Sequence, residues 1–169
     1  MSNTMTPERL SALVSELLES AAFVFAENAD GVPWSDEEIW RARLQVEQRK
    51  KIELSLCVSR TLGLTLAANL LGLEPDSADA TEGLRDAVGE MANMLAGVLS
   101  VELFGSDVVC RIGVPEVNQE TSGEHDAHSA LAVCRVAMQT EEGQRLDVSL
   151  VEIAFQAEGS EKTPTGGDS

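Results

Sequence analysis

The sequence predicts an α+β fold in which an antiparallel sheet packs against long helices. Three observations carry that expectation. Apolar residues recur at helical spacing near the N-terminus and again over residues 79–103. Between and beyond those runs the period drops to two, the pattern of half-buried strands. The strands also arrive in groups instead of alternating singly with helices, which excludes a doubly wound parallel sheet. The expected order is α-β-β-α-α-β-β-β.

Thr6-Pro7-Glu8 opens the first helix: a hydroxyl cap, proline at the first helical position, then an acid at the positive end of the dipole. Leu10, Leu13, Val14, Leu17, Leu18, Ala21, Val24 and Phe25 continue it, and Asn28-Ala29-Asp30-Gly31 stops the run. The segment around Pro33 and Trp34 reads as a connector. Next, Trp40, Ala42, Leu44 and Val46 alternate with polar residues, as do Ile52, Leu54, Leu56 and Val58. A polar turn near Gln48-Arg49-Lys50 makes the two a hairpin. A short helix from Thr61 to Leu71 closes at Gly72 and Pro75. Asp79 and Glu82 form a capping-box-like start for a long helix to about Leu103. Val108, Cys110, Ile112 and Val114 predict a third strand, stopped by Pro115. The following VNQETSGEHDAH segment reads as a polar, mobile loop. Two more strands are expected at residues 129–139 and 144–155, joined at Gly143. Residues 1–156 therefore form one domain, and 157–169 a disordered acidic tail.

Composition narrows the function. The 169 residues are 43% apolar but only 4% aromatic, with no Tyr, so the core rests on aliphatic side chains. Twelve Lys and Arg against 29 Asp and Glu give 12 − 29 = −17. A surface that acidic repels phosphate backbones and anionic lipid, so no nucleic-acid or membrane partner is expected. No run approaches the roughly 20 apolar residues that span a bilayer, and MSNTMTPERL lacks the order of a secretory signal. Cys57, Cys110 and Cys134 are odd in number and widely spaced, which predicts buried, reduced thiols in a cytoplasmic protein. No phosphate-binding glycine loop and no recognisable Ser/His/Asp order is present. Glu124-His125-Asp126-Ala127-His128 offers metal-ligand types, but its spacing matches no site of defined mechanism and it reads as a hydrophilic connector. Arg41, Arg43, Arg49, Lys50 and Lys51 concentrate positive charge. They form either a solvated strand face and turn or a contact for an acidic partner.

The long helix carries the informative pattern. At about 100° per residue, Asp86, Glu90, Asn93 and Gly97 fall within roughly 60° of one another, opposite Leu84, Val88, Met91 and Leu95. Gly costs about 1 kcal/mol and Asn up to about 0.7 kcal/mol relative to Ala in a helix interior. One reading is a solvated face whose Gly admits another element of the chain. The other is a flat polar strip that another protein's backbone approaches, with the Asn carboxamide as donor and acceptor together.

The run DAVGEMANMLAG resembles the signature helix of the CheC/CheX/FliY family of response-regulator phosphatases, and most of all its CheX branch. The hairpin and short helix ending in Leu-Leu-Gly-Leu-Glu and the strand RIGVPEV resemble that family too, so the likeness covers about Ile52 to Pro115. The resemblance implies a CheX-like fold and hydrolysis of the aspartyl-phosphate of a CheY-like receiver domain. It implies that Asn93 orients the attacking water and that Glu90 pairs with the receiver's active-site Lys, with Asp86 and Gly97 flanking for orientation and packing. No cofactor is implied for this chain, because the Mg²⁺ belongs to the receiver. A non-catalytic adaptor or dimerisation module is the alternative. CheC-type members carry a second motif on the first helix; here that stretch is Glu19-Ser20-Ala21-Ala22, with Ala in place of Asn. A single motif is the CheX pattern, and that branch dimerises through its sheet, so a homodimer would restore two sites per particle.

Overall fold

The structure, a computed structural model, describes residues 4–34, 38–74 and 80–154. Its elements run α1 (Pro7–Ala22), β1 (Ala26–Asn28), β2 (Ile39–Glu47), β3 (Lys51–Ser59), α2 (Arg60–Leu71), α3 (Ala80–Phe104), β4 (Arg111–Ile112), β5 (Glu116–Glu120), α4 (Ser122–Ser129), β6 (Cys134–Thr140) and β7 (Arg145–Ile153). The strands make one seven-stranded antiparallel sheet, ordered β1-β6-β7-β3-β2-β4, with β5 also paired to β2. Strand β2 shares its outer edge: Ile39–Arg43 faces β5, and Val46–Glu47 faces β4.

The expected α+β architecture is present, with local differences that have physical reasons. Helix α1 stops at Ala22 because Phe23 enters the left-handed region at φ 55° and the next residue, Val24, donates its N–H to Leu18 O at 3.1 Å. The chain thereby reaches β1, three residues too short to show a period. The third strand expected over Val108–Val114 shrinks to Arg111–Ile112. The segment expected to be a loop holds β5 and α4, the latter opened by a capping box between Thr121 and Glu124. Cys57 and Cys134 are buried as expected, whereas Cys110 is partly exposed and lies outside any strand. The tail expected from residue 157, and Asp79, lie outside the described residues.

One face of the sheet is the core. Leu54, Leu56 and Val58 of β3 and Leu146, Val148 and Leu150 of β7 point to α1, α2 and α3 and are almost fully buried. Helix α3 is long and apolar enough to cross a membrane by length and composition. Leu84, Val88, Met91 and Leu95 are instead buried on this core, and Arg85, Asp86 and Glu90 cover its outer face. Where α2 crosses α3, a Cβ on Gly63 would sit 2.7 Å from Leu84 Cγ. Gly63→Ala is therefore expected to cost about 1–3 kcal/mol through overpacking. Urea unfolding should show a lower midpoint at unchanged slope.

The other face breaks an expectation. Arg41 is buried, not solvated: its Nη1 donates to Glu120 at 2.7 Å, and Nε and Nη2 donate to Ser55. Arg43 stays half-exposed, 3.6 Å from Glu116. His125, read as part of a connector, is 2% exposed, because α4 lays it onto this face against Asp147. Asp147 also accepts from Arg145, Arg135 and the Trp34 indole. Burial pushes the Asp147 carboxyl up, but the hydrogen bonds from His125, Arg135 and Arg145 outweigh it and hold it well below the usual carboxylate range. The strands' period of two is why this happens: each residue opposite a core Leu or Val reaches this second face, which α4 and Trp34 then cover.

Candidate active site

The site is built on the outward face of α3. Glu90 and Asn93 lie three residues apart, so their Cβ atoms are about 5–6 Å from each other on the helix surface. Both are exposed, as is Asp86. Packing dictates this orientation: Ala87, Val88, Met91, Ala92 and Leu95 turn inward between them and leave the polar positions no other direction. The strip borders a shallow cleft of about 400 Å³ between α3 and the start of β5, lined by Arg85, Gly89, Asn93, Pro115 and Val117 among others. Strand β5 comes this close because Gly89 has no side chain; a Cβ there would lie 3.4 Å from Val117 Cγ2. On the far wall the Arg85 guanidinium stands 5.6 Å from the centre of the Trp40 ring.

Gly97 separates the two readings of the strip. A Cβ built on it meets nothing within 4 Å among the described residues. The chain's own packing therefore gives no reason for a glycine at this helical position, and the space beside it is open to another molecule. One turn on, Val101 is 53% exposed. Gly97→Ala is expected to stabilise the fold by up to about 1 kcal/mol, read as a higher melting temperature.

The structure brings all four expected residues, Asp86, Glu90, Asn93 and Gly97, onto one face. It adds Arg85, Pro115 and Val117, which the sequence reading did not place there. The signal for the last two is present only in part: RIGVPEV stands out as a segment, but its position against α3 depends on its pairing with β2. On the first helix, Glu19 and Ser20 are exposed and Ala22 is buried, so that face offers no amide.

An antiparallel sheet with a long helix across it is the class of α+β domain found in CheX and CheC-like proteins. The family model described as Chemotaxis phosphatase CheX matches residues 42–139, more than half of the chain, and the chain belongs to that family. A CheX structure from Desulfovibrio desulfuricans is similar at TM-score 0.61 and 16% identity, covering 85% of this chain and 96% of that one. A chain of the CheX–CheY–BeF3–Mg²⁺ complex from Borrelia burgdorferi is similar at TM-score 0.65 and 14% identity, covering 90% and 100%. A CheC-like superfamily protein from Shewanella follows at TM-score 0.55 and 18% identity, covering 83% and 94%. At these identities the likeness speaks to the fold. No curated protein matches the chain in sequence.

Proposed function

We propose that this protein dephosphorylates the aspartyl-phosphate of a CheY-like receiver domain in chemotaxis or a related two-component circuit. The observation that carries the reading is the exposed Asn93 carboxamide, one turn from Glu90, on a helix face whose glycine serves no packing within the chain. Membership of the CheX family supports it, as does the likeness to a CheX solved with CheY.

An acyl phosphate is already activated, so the protein has little covalent chemistry to perform, and positioning dominates. Asn93 accepts a hydrogen bond from the attacking water through its carbonyl oxygen while its NH₂ remains free to donate to the phosphoryl oxygens. Water attacks phosphorus in line, the bond from phosphorus to the aspartyl oxygen breaks, and inorganic phosphate leaves. Glu90 pairs with the Lys at the receiver's phosphorylation site and sets the register of the two proteins. Asp86 orients the docked receiver, and Gly97 lets its backbone approach. The Mg²⁺ of the reaction belongs to the receiver, and the reaction needs no metal from this chain. The cytoplasm is where such a partner is met, and a homodimer would present two strips per particle.

The deciding experiment follows the lifetime of phosphorylated cognate receivers with and without the protein. A shortened lifetime is expected. An unchanged lifetime across several receivers, with binding intact, would replace the enzyme by an adaptor. Gly97→Phe tests the docking geometry separately: the fold should survive, since the space is open, while receiver binding weakens at least about tenfold through steric exclusion.

A further inference from the structure

On the sheet face opposite the core, three ligand-type side chains from three elements converge. Cys57 Sγ of β3, a carboxylate oxygen of Glu120 at the end of β5 and a ring nitrogen of His125 on α4 all lie within 4.8 Å of one another. Glu120 Oε2 is 3.9 Å from Cys57 Sγ and 3.8 Å from His125 Nδ1. All three residues are buried. We propose that they form a site for one Zn²⁺ ion, separate from the strip on α3.

His125 is the strongest witness. Its Nε2 donates to Asp147 Oδ2 at 2.9 Å, and Asp147 is an ionised acceptor held by Arg135 and Arg145. That bond places a proton on Nε2, so in the neutral ring Nδ1 carries a lone pair. Nδ1 is fully buried and has no hydrogen-bond partner, an arrangement that ordinarily costs free energy. A carboxylate holding one ring nitrogen while the other faces a metal is the usual outer support of a zinc histidine. The carboxylate of Glu120 is divided in the same sense. Its Oε1 accepts from Arg41 and pairs with His128, and Oε2 is turned toward Cys57 and His125.

The donor set selects the ion. Thiolate, imidazole and carboxylate together suit Zn²⁺, with ligand distances of about 2.0–2.3 Å and tetrahedral geometry. A tetrahedron of that size has edges of about 3.3–3.7 Å, so the two separations from Glu120, 3.9 Å and 3.8 Å, close by about half an ångström or less, and that between Cys57 and His125, within 4.8 Å, by up to about an ångström. Water takes the fourth position. On binding, the Cys57 thiol loses its proton to solvent, and the resulting thiolate and the Glu120 carboxylate neutralise the ion. A cleft of about 230 Å³ lined by Glu120 and His128 reaches the cluster from the Glu120 side. The expectation that this chain binds no cofactor is thereby confined to the phosphatase reaction. The inference does not rest on that reaction.

Metal-stripped full-length protein titrated with Co²⁺ provides the test. One equivalent is expected to produce a thiolate-to-Co²⁺ charge-transfer absorption, removed by one equivalent of Zn²⁺, and Zn²⁺ should raise the melting temperature. Cys57→Ser should lose the absorption, whereas Cys110→Ser should retain it. Glu120→Gln, which still accepts from Arg41, should weaken Zn²⁺ at least about tenfold. Absence of the absorption in the wild type overturns the proposal whatever the variants do. So does an absorption that persists in folded Cys57→Ser.

Discussion

Asn93→Ala is expected to lower receiver dephosphorylation about 100-fold, returning the aspartyl-phosphate toward its own rate of decay, while leaving the fold intact or slightly more stable. The magnitude follows from the chemistry assigned to the side chain. Orienting a water at an activated phosphorus corresponds to about 2.7 kcal/mol of barrier for a hundredfold effect, which one well-placed carboxamide can supply. The opposite sign of the stability change makes the prediction sharp. Asn93 is exposed and no core contact is lost, and Ala is the better helix former by up to about 0.7 kcal/mol. A variant that gains stability while losing rate identifies a residue retained at a cost to the fold. Glu90→Ala should separate from it kinetically, because a docking contact made equally in ground and transition states raises KM and spares kcat. Single-turnover decay of phosphorylated receiver over a range of protein concentrations reads both. Activity that survives Asn93→Ala would move the chemistry off this strip.

The strip was legible in the sequence because everything it needs is local. Helical period alone places Asp86, Glu90, Asn93 and Gly97 together, and the buried stripe of Leu84, Val88, Met91 and Leu95 tells which way they face. The hairpin of β2 and β3 was legible for the same reason, its alternation running the full length of both strands. What failed was non-local. Strand β5 has no apolar alternation of its own; Glu116, Asn118 and Gln119 are exposed, and the strand exists because the edge of β2 is there to pair with it. Arg41 looked solvent-facing, since it alternates with core residues in a strand that hides only one apolar face. That inference assumes the second face is open. Helix α4 closes it, and its sequence, SGEHDAHS, is polar enough to pass for a loop.

The covered second face leads to the other large effect. Asp147→Ala is expected to destabilise the fold by about 3–5 kcal/mol, the usual consequence of removing one partner from a buried charge cluster. Asp147 is 2% exposed and accepts from His125 at 2.9 Å, Arg145 at 2.9 Å, Arg135 at 2.6 Å and the Trp34 indole at 3.2 Å. Alanine satisfies none of these donors. The Arg145 guanidinium, only 7% exposed, would then remain buried without its carboxylate, and that uncompensated charge is the main term. Against a typical total of about 5–15 kcal/mol, such a loss lowers the melting temperature by about 6–20 °C in a domain of this size. Glu116→Ala is the contrasting measurement: its partner Arg43 lies 3.6 Å away and Glu116 is 72% exposed, so the change should stay within about 0.5 kcal/mol. Should both variants melt alike, the second face of the sheet would be solvated after all. In that event the desolvation that makes Asp147 costly to remove would not exist.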